Sequence, residues 1–282
     1  MKIAAFGDIH SNHVALEACL AKIEQIGVDG IVFLGDYVSD CACPQKTLAL
    51  LREAAERYRY WFIRGNREEY MIDHADGKSD WKDNSQSGSV LYTYENLTKD
   101  DIDWFRSLPL TMKVEIEGAP PFEICHGGHT QSRLMLVPGR EEFDEELAQM
   151  ETDLMLCAHT HESFIGEKDG KTIVNGGCVG LPDVSRKGYT GATFALIELV
   201  DGRWVPQLMH ADYDTEAVIH EFHESGFTKR AHVWAKAVTK SLRTGEYYTL
   251  MCIDLVNQYV KETGLPFETE AHWQKAATEL EL

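Results

Sequence analysis

The sequence predicts an α/β protein, a four-layer α/β/β/α sandwich of two mixed sheets with outer helices, followed by a helical C-terminal extension. Residues 3–63 alternate short apolar runs with helical patterns, and from Leu110 the apolar period changes to two. The strand signal ends after Asp212. Two sheets that pack face to face, with helices outside, bury the apolar faces of the strands and the apolar faces of the helices. We therefore predict one domain over residues 1–212 and an extension over residues 213–282.

The chain opens with a βαβ pattern. Apolar runs at residues 3–6 and 31–34 are typical of buried strands of a parallel sheet. The apolar residues between them have helical spacing, and Pro44 marks the start of a second helix that leads to a strand at residues 60–63. Residues 73–88 are rich in Asp, Ser, Gly, Lys and Asn, which predicts an exposed loop that lies over the functional site described below.

The later elements follow from local signals. Thr98 begins a short helix that Pro109 ends. Strands dominate from Leu110 to about His210, with tight hairpin turns at Asp169-Gly170 and Asp201-Gly202. The acidic run at residues 141–146 indicates the solvated face of a helix. The helices predicted for the extension cover residues 215–224, 229–243, 247–263 and about 268–280.

Composition limits the functional classes. The formal charge of −19 disfavours an extended nucleic-acid surface or an anionic membrane as partner. No apolar stretch approaches the roughly 20 residues of a membrane span, and the N-terminus lacks a signal-peptide core. Seven widely spaced cysteines favour reduced thiols and a cytoplasmic location. The close pair Cys41 and Cys43 has no second pair to complete a metal site, which favours a packing role.

Potential metal ligands stand where apolar runs stop, after the predicted strands at residues 3–6, 31–34, 60–63, 122–125 and 154–158. Open α/β sheets bind ligands at the carboxyl ends of their strands, so these side chains should meet at one edge. Carboxylate, amide and imidazole donors in this number can hold two divalent ions that share a bridging carboxylate. The predicted ligands are Asp8, His10, Asp36, Asn66, His126, His159 and His161.

The predicted ligands lie in short sequence motifs that follow the strands. The blocks are Gly7-Asp8-Ile9-His10, Gly35-Asp36-Tyr37, Gly65-Asn66-Arg67-Glu68, His126-Gly127 and Ala158-His159-Thr160-His161. In order and spacing, the chain resembles the calcineurin-like metallophosphoesterase superfamily over roughly residues 1–210. Residues 175–180, Asn-Gly-Gly-Cys-Val-Gly, resemble a turn of its small prokaryotic phosphodiesterase branch, which includes enzymes that hydrolyse diadenosine polyphosphates.

The resemblance implies a metal-dependent phosphoesterase that uses two divalent ions, Mn²⁺, Fe or Zn²⁺, and a hydroxide that they activate. It implies that Asp8, His10, Asp36 and His161 hold one ion. Asp36, Asn66, His126 and His159 would hold the other, with Asp36 as the bridge. Asp36, Asn66 and Arg67 are the predicted catalytic residues. The substrate would be a small phosphorylated molecule, with nucleotides as candidates, and the oligomeric state stays open.

One residue departs from the family pattern. Many members have a histidine after the asparagine, where this chain has Arg67. An arginine stays protonated, so it can hold a phosphate but cannot give its leaving group a proton. This favours leaving groups of low pKa, in phosphodiesters or phosphoanhydrides. An acid supplied by His13, His74 or His129 is the alternative that would permit harder leaving groups.

Several roles have two interpretations at this stage. Asn12 would contact substrate or cap the helix that begins near Val14. Arg67 would bind substrate phosphate, or Arg67 and Glu68 would form the solvated first turn of a helix. For the whole protein, the alternatives to a diesterase are a phosphomonoesterase, such as a serine/threonine protein phosphatase, and a non-catalytic scaffold. A scaffold would be expected to have lost ligands, and all seven are present.

Overall fold

A computed structural model describes all residues, 1–282, and contains two five-stranded sheets. The first has the order β10-β9-β1-β2-β3 and the second has the order β4-β5-β6-β8-β7. The strands of the first sheet are β1 (Lys2–Phe6), β2 (Gly30–Phe33), β3 (Arg59–Phe62), β9 (Ala192–Val200) and β10 (Arg203–Ala211). Those of the second are β4 (Thr111–Val114), β5 (Phe122–Cys125), β6 (Leu154–Cys157), β7 (Phe164–Lys168) and β8 (Lys171–Asn175).

Helices cover the outer faces of both sheets. Those before residue 212 are α1 (His13–Ile26), α2 (Pro44–Arg57), α3 (Asn66–Ala75), α4 (Gly88–Glu95), α5 (Lys99–Ser107) and α6 (Glu141–Gln149). Five more follow: α7 (Thr215–Glu224), α8 (Phe227–Arg230), α9 (His232–Thr244), α10 (Tyr248–Thr263) and α11 (Glu270–Glu279). None of the helices is both long enough and apolar enough to cross a membrane.

The alternation of side chains along the strands builds the layers. In β1, Ile3 and Ala5 face the second sheet and pack in a core with residues such as Ile124 and Leu156. Ala4 and Phe6 point the other way, into a core shared with α1 and α2. Because successive side chains of a strand point to opposite faces, one apolar run serves two interfaces. The predicted sandwich of two mixed sheets is confirmed.

The strand directions place the site. β1, β2 and β3 run parallel, and so do β5, β6 and β8, while the remaining strands pair antiparallel. The carboxyl ends of both parallel groups therefore supply loops to the site. Both predicted hairpin turns are confirmed, since Asp169, Gly170, Asp201 and Gly202 all have the positive φ that a tight turn of this kind requires.

The prediction for residues 73–88 was wrong in part. Helix α3 continues to Ala75, and Ser85 in the following segment is 1% exposed. The Ser85 hydroxyl and backbone nitrogen both donate to the Glu270 carboxylate at the start of α11. Asp83 pairs with Arg230 and His232. Polar composition suggested solvent because the partners of these groups lie about 150 or more residues further along the chain.

The C-terminal helices pack directly on the sandwich. Phe222 and Phe227, with other residues of α7 to α9, share an apolar core with Cys41, Cys178 and Leu181. A smaller core joins α9, α10 and α11. The sequence prediction merged α8 with α9, whereas Gly226 at φ +79° and a short α8 separate α7 from α9. The division into a domain and an extension at residue 212 stays a prediction.

Candidate metal centre

The seven predicted ligands all follow parallel strands, six of them in loops and Asn66 at the first position of a helix. Asp8 and His10 follow β1, and Asp36 follows β2. Asn66 begins α3 after β3, His126 follows β5, and the pair at 159 and 161 follows β6. The corner after β3 is tight, because a Cβ built on Gly65 would lie 2.6 Å from the Asp36 backbone nitrogen. Glycine permits this close approach of two ligand-bearing loops.

One group of ligand atoms centres on His126. Its Nε2 lies 3.1 Å from Asn66 Oδ1, 3.4 Å from Asp36 Oδ1 and 3.9 Å from Asp8 Oδ1. The other ring nitrogen, Nδ1, lies 2.7 Å from the Leu34 carbonyl oxygen, so Nδ1 carries the proton and donates to it. This bond keeps a proton on Nδ1, so Nε2 is the nitrogen that would give up its proton to bind a cation.

A second group centres on two facing imidazoles. His10 Nε2 lies 3.0 Å from His161 Nε2, and His161 Nε2 lies 3.4 Å from Asp8 Oδ1. The Cys178 thiol adjoins this pair, although sequence analysis assigned it no ligand role. Asp8 therefore stands between both groups. The predicted bridge, Asp36, lies in the His126 group.

His159 is the least engaged of the seven. Its backbone nitrogen donates to Asp8 Oδ2 at 2.8 Å, and its ring centre lies 5.2 Å from that of His126. The imidazole lies beside the site, outside the two groups of mutually close ligand atoms. Its ligand role stays a prediction.

The donor set fits divalent cations. Asp8 Oδ1 is buried without a hydrogen-bond partner, although three histidine nitrogens stand within 4 Å of it. An unpaired buried carboxylate oxygen is costly unless a cation completes it. Carboxylate oxygens with imidazole nitrogens suit Zn, Mn and Fe ions. The residues present therefore match the ions that the motifs imply.

Electrostatics keep the carboxylates ionised. Burial by itself would raise the pKa of Asp8, but the neighbouring His161 and His126 outweigh it and lower that pKa. Burial also opposes the charge of Asp36, yet His126, His10 and Arg67 hold its pKa well below the usual range. The pKa of His126 is raised to about 10, because the two aspartates outweigh the effect of burial. In the metal-free protein His126 is therefore protonated at neutral pH, and a metal ion that binds it must displace that proton.

Glu68 holds together the loops that carry Asp36 and Asn66. The interpretation of Glu68 as part of a solvated helix turn was wrong. It is fully buried, and its carboxylate accepts from the backbone nitrogens of Asp36, Tyr37 and Gly65, each at 2.8 Å. These three donors belong to the loops after β2 and β3. Glu68 therefore fixes the position of Asp36 relative to Asn66.

Arg67 lies at the edge of the centre. Its Nη2 is 2.9 Å from Asp40 Oδ2, and its Nε is 3.8 Å from Asp36 Oδ2. Burial opposes its charge, but Asp40 and Asp36 raise its pKa above the ordinary value. The side chain also lines a cavity of about 590 Å³, together with Tyr70, Lys82 and Phe267. The guanidinium is thus a fixed positive charge between the carboxylates and an open space.

The other polar residues singled out from sequence are engaged within the protein. Asn12 Oδ1 caps α1 by accepting from the Ala15 nitrogen, and its amide nitrogen donates to the Gly180 carbonyl. Its predicted contact with substrate thus gains no support from the structure. Among the alternative acids, His13 pairs with Glu221, His129 pairs with Glu146, and His74 stacks on Trp81. Cys41 is buried in the core, and Cys43 donates to Glu221.

Sequence analysis missed three further residues around the centre. Asp40 is 1% exposed and lies 3.0 Å from His10 Nδ1. Trp234 Nε1 donates to Asp40 Oδ1 at 2.9 Å, and the Tyr247 hydroxyl is hydrogen-bonded to His161 Nδ1. Asp40 follows the Asp36 corner closely, and that proximity was the one available signal. The other two residues lie in the C-terminal helical segment, far along the chain from their partners.

Comparison with known proteins agrees with this geometry. The calcineurin-like phosphoesterase superfamily domain matches residues 1–202. An uncharacterized protein of Methanocaldococcus jannaschii, MJ0912, is 25% identical over 230 residues, which cover 75% of this chain and 88% of that protein.

Two crystal structures share the fold. The hypothetical protein PH1004 from Pyrococcus horikoshii has a TM-score of 0.72 at 19% identity, covering 86% of this chain and 98% of its own. A metallophosphoesterase from Sphaerobacter thermophilus has a TM-score of 0.67 at 22% identity, covering 87% and 99%. Both similarities extend beyond the first 212 residues, so part of the C-terminal helical segment has counterparts there. Because the superfamily domain matches most of the chain and the predicted ligands meet at the carboxyl ends of the parallel strands of both sheets, the chain belongs to the calcineurin-like phosphoesterase superfamily and is a metallophosphoesterase.

Proposed function

We propose that this metallophosphoesterase hydrolyses a phosphodiester or a phosphoanhydride, with nucleotide-derived molecules as the leading substrates, at a centre for two divalent ions. The observation that carries the proposal is the place of Arg67. It occupies the position of a proton-donating histidine in many relatives, and its guanidinium is held between Asp40 and an open cavity. A permanent cation there favours substrates whose leaving group needs no proton.

The residues that would hold the ions are the seven ligands that the family motifs imply. Asp8, His10 and His161 would hold one, and Asn66, His126 and His159 would hold the other, with Asp36 shared between them. When bound, two such ions neutralise phosphate charge and lower the pKa of a water between them. Mn²⁺, Fe and Zn²⁺ all suit oxygen and imidazole donors.

The protein's own residues supply orientation and charge. The backbone nitrogen of Arg67 donates to Asp36 Oδ1 at 2.8 Å, which fixes that carboxylate. The guanidinium offers donors that match phosphate oxygens, and it would hold a non-bridging oxygen while the leaving group departs. Glu68 keeps the loops at a fixed separation, so these groups are positioned before substrate binds.

The cavity beside Arg67 supports a substrate larger than inorganic phosphate. It is about 590 Å³, within the range of sites for small-molecule ligands. Tyr70, Trp81 and Phe267 line it together with Lys82 and Asn84. Aromatic faces beside cationic and amide side chains would accommodate a base and its phosphate. Seven free cysteines support our further proposal that the enzyme works in the cytoplasm.

The decisive measurement compares two model substrates on protein stripped with chelator and reloaded with Mn²⁺. We expect kcat/KM for bis-p-nitrophenyl phosphate to exceed that for p-nitrophenyl phosphate well beyond tenfold. A ratio well below one would overturn the diesterase proposal in favour of a phosphomonoesterase. Absence of both activities, with metal content verified, would favour the scaffold alternative.

A matched pair of variants tests the role of Arg67. Arg67→Gln should lower kcat for the diester about 100-fold, the scale seen when one charge-stabilising donor is removed from an active site. Arg64→Gln is the control, because the partly buried Arg64 donates to the Leu108 carbonyl and lies outside the centre. Equal activity of the two variants would show that Arg67 does not contact the reacting phosphate.

A further inference from the structure

We infer that the C-terminal helical segment completes one of the two ion sites, with Tyr247 and Trp234 as positioning residues for its two histidine ligands. The inference rests on the proposed metal centre and goes beyond it. The ion held by His10 and His161 would depend on residues outside the matched superfamily domain, whereas the ion held by His126 would not.

Tyr247 acts on His161. Its hydroxyl is hydrogen-bonded to Nδ1 of that imidazole, with the two ring centres 5.4 Å apart and nearly perpendicular. For Nε2 to bind a cation its lone pair must be free, so the ring proton must reside on Nδ1. Nδ1–H then donates to the Tyr247 oxygen, which fixes both the tautomer and the ring orientation.

The position of Tyr247 is itself fixed by the fold. It follows Gly245, which ends α9 in the left-handed region at φ +69°. The Gly245 carbonyl accepts from the Gly188 nitrogen at 3.0 Å, and a Cβ at Gly245 would lie 2.5 Å from the Tyr189 nitrogen. The turn before Tyr247 is therefore packed against the loop that leads into β9, which leaves the hydroxyl little freedom.

Trp234 acts on His10 through Asp40. The indole Nε1 donates to Asp40 Oδ1 at 2.9 Å, and Asp40 Oδ2 lies 3.0 Å from His10 Nδ1. This contact has the distance of an ion pair and not the angle of a hydrogen bond, and a carboxylate placed behind a metal-binding histidine raises the basicity of the ring. Asp40 has a strained φ of +62°, which persists only where surrounding contacts hold it. The indole from α9 is one of those contacts.

The second ion site has no such dependence. His126 Nδ1 donates to the Leu34 carbonyl, which lies inside the sandwich. Glu68 fixes Asp36 and the start of α3 at Asn66, because its carboxylate accepts from the backbone nitrogens of Asp36 and Gly65. The two sites therefore differ in what holds their histidines. Loss of an outer partner of this kind lowers metal affinity by about 10- to 100-fold, and here the loss should affect one ion of the two.

The test is stepwise Mn²⁺ binding to chelator-stripped, full-length protein, followed by calorimetry and by metal analysis after equilibrium dialysis. Wild type should bind two ions. Tyr247→Phe should weaken one of them 10- to 100-fold and leave the other unchanged. Tyr248→Phe is the matched control, because that ring packs on Lys240, and it should bind both ions as wild type does.

A second pair protects the test against misfolding of one variant. Trp234→Phe should weaken the same single ion, whereas Trp204→Phe should not, because the Trp204 indole donates to the Pro120 carbonyl at another face. Unchanged affinities in both Tyr247→Phe and Trp234→Phe would overturn the inference. Equal weakening of both ions would also overturn it, since that indicates general destabilisation.

The failure of this inference is distinguishable from the failure of the proposed function. If wild type binds no divalent ion and cleaves no diester, the proposed function fails. If wild type binds two ions and hydrolyses the diester while both variants bind like wild type, the proposed function stands and only the dependence on the C-terminal helices is refuted.

Discussion

Replacing Glu68 by glutamine should destabilise the protein and loosen the metal centre together. Glu68 Oε2 accepts from Asp36 and Gly65, and Oε1 accepts from Tyr37. Glutamine has a single oxygen. In its better orientation that oxygen keeps the two bonds of Oε2, and the new NH₂ group faces the Tyr37 N–H, so one buried donor loses its partner.

The magnitude follows from these bonds. One unsatisfied buried donor costs about 1–3 kcal/mol, and two bonds that become neutral lose about 0.5–1 kcal/mol each. Part of this is offset, because burial and the Asp36 carboxylate raise the pKa of Glu68 to about 7, so its ionised form carries a penalty that glutamine lacks. We expect a net loss of about 1–3 kcal/mol in the free energy of unfolding.

The assay is urea unfolding of metal-free protein at about pH 9, where Glu68 with its pKa of about 7 is ionised, paired with Mn²⁺ titration of the same samples. Glu69→Gln is the control: Glu69 is next in the chain, is about a quarter exposed, and accepts from the Ser132 hydroxyl without contacting the three backbone nitrogens that Glu68 binds. It should lose less than about 1 kcal/mol and bind Mn²⁺ normally. If Glu68→Gln were as stable as wild type with unchanged Mn²⁺ affinity, the carboxylate would not be what fixes the two loops.

The remaining predictions concern the centre and one nearby pair. Asp36→Asn should abolish diester hydrolysis while circular dichroism stays native, and activity retained in a metal-verified sample would refute its bridging role. Arg67→His should raise monoester relative to diester turnover, whereas an unchanged ratio would show that the missing proton donor does not set the preference. Chelation should lower the melting temperature, because bound ions stabilise only the folded state, and Mn²⁺ should restore it. Glu146 raises the pKa of His129, so that pair should stabilise the metal-free fold fully below the unfolded pKa near 6.5 and lose this effect as pH rises. Urea unfolding of His129→Gln should therefore show a larger deficit at pH 6 than at pH 9, and a deficit independent of pH would contradict this.

The sequence was informative where function depends on strand ends. Asp8, Asp36 and His126 each follow a short apolar run, and parallel strands bring such positions to the carboxyl end of their own sheet, where the two sheets meet at the site. The continuous apolar run at residues 3–6 likewise predicted a buried strand, and β1 is buried on both of its faces. These inferences need only local patterns and a rule of sheet geometry.

The residues that hold the ligands in place were invisible for the same reason. Trp234 and Asp40 are 194 residues apart, and no local pattern distinguishes that indole from other apolar helix residues. Glu68 was misread because a glutamate in the first turn of a helix is usually solvated, and only the fold shows that its carboxylate meets three backbone nitrogens. Sequence patterns therefore predicted which residues would hold the ions, while the contacts that fix the geometry of those residues required the structure.

Backbone strain explains why so many contacts converge on this centre. Five of the seven predicted ligands have a positive φ, which non-glycine residues adopt only at a cost. These are Asp8, His10, Asp36, His159 and His161. At about 1 kcal/mol each, the strain sums to about 5 kcal/mol, comparable with the whole stability of many domains. The three backbone hydrogen bonds to Glu68 and the contacts from the C-terminal helices offset that strain before any cation binds. A centre held this way would be preorganised, since ions bound by the predicted ligands would meet loops that are already bent and would not have to supply the energy that bends them.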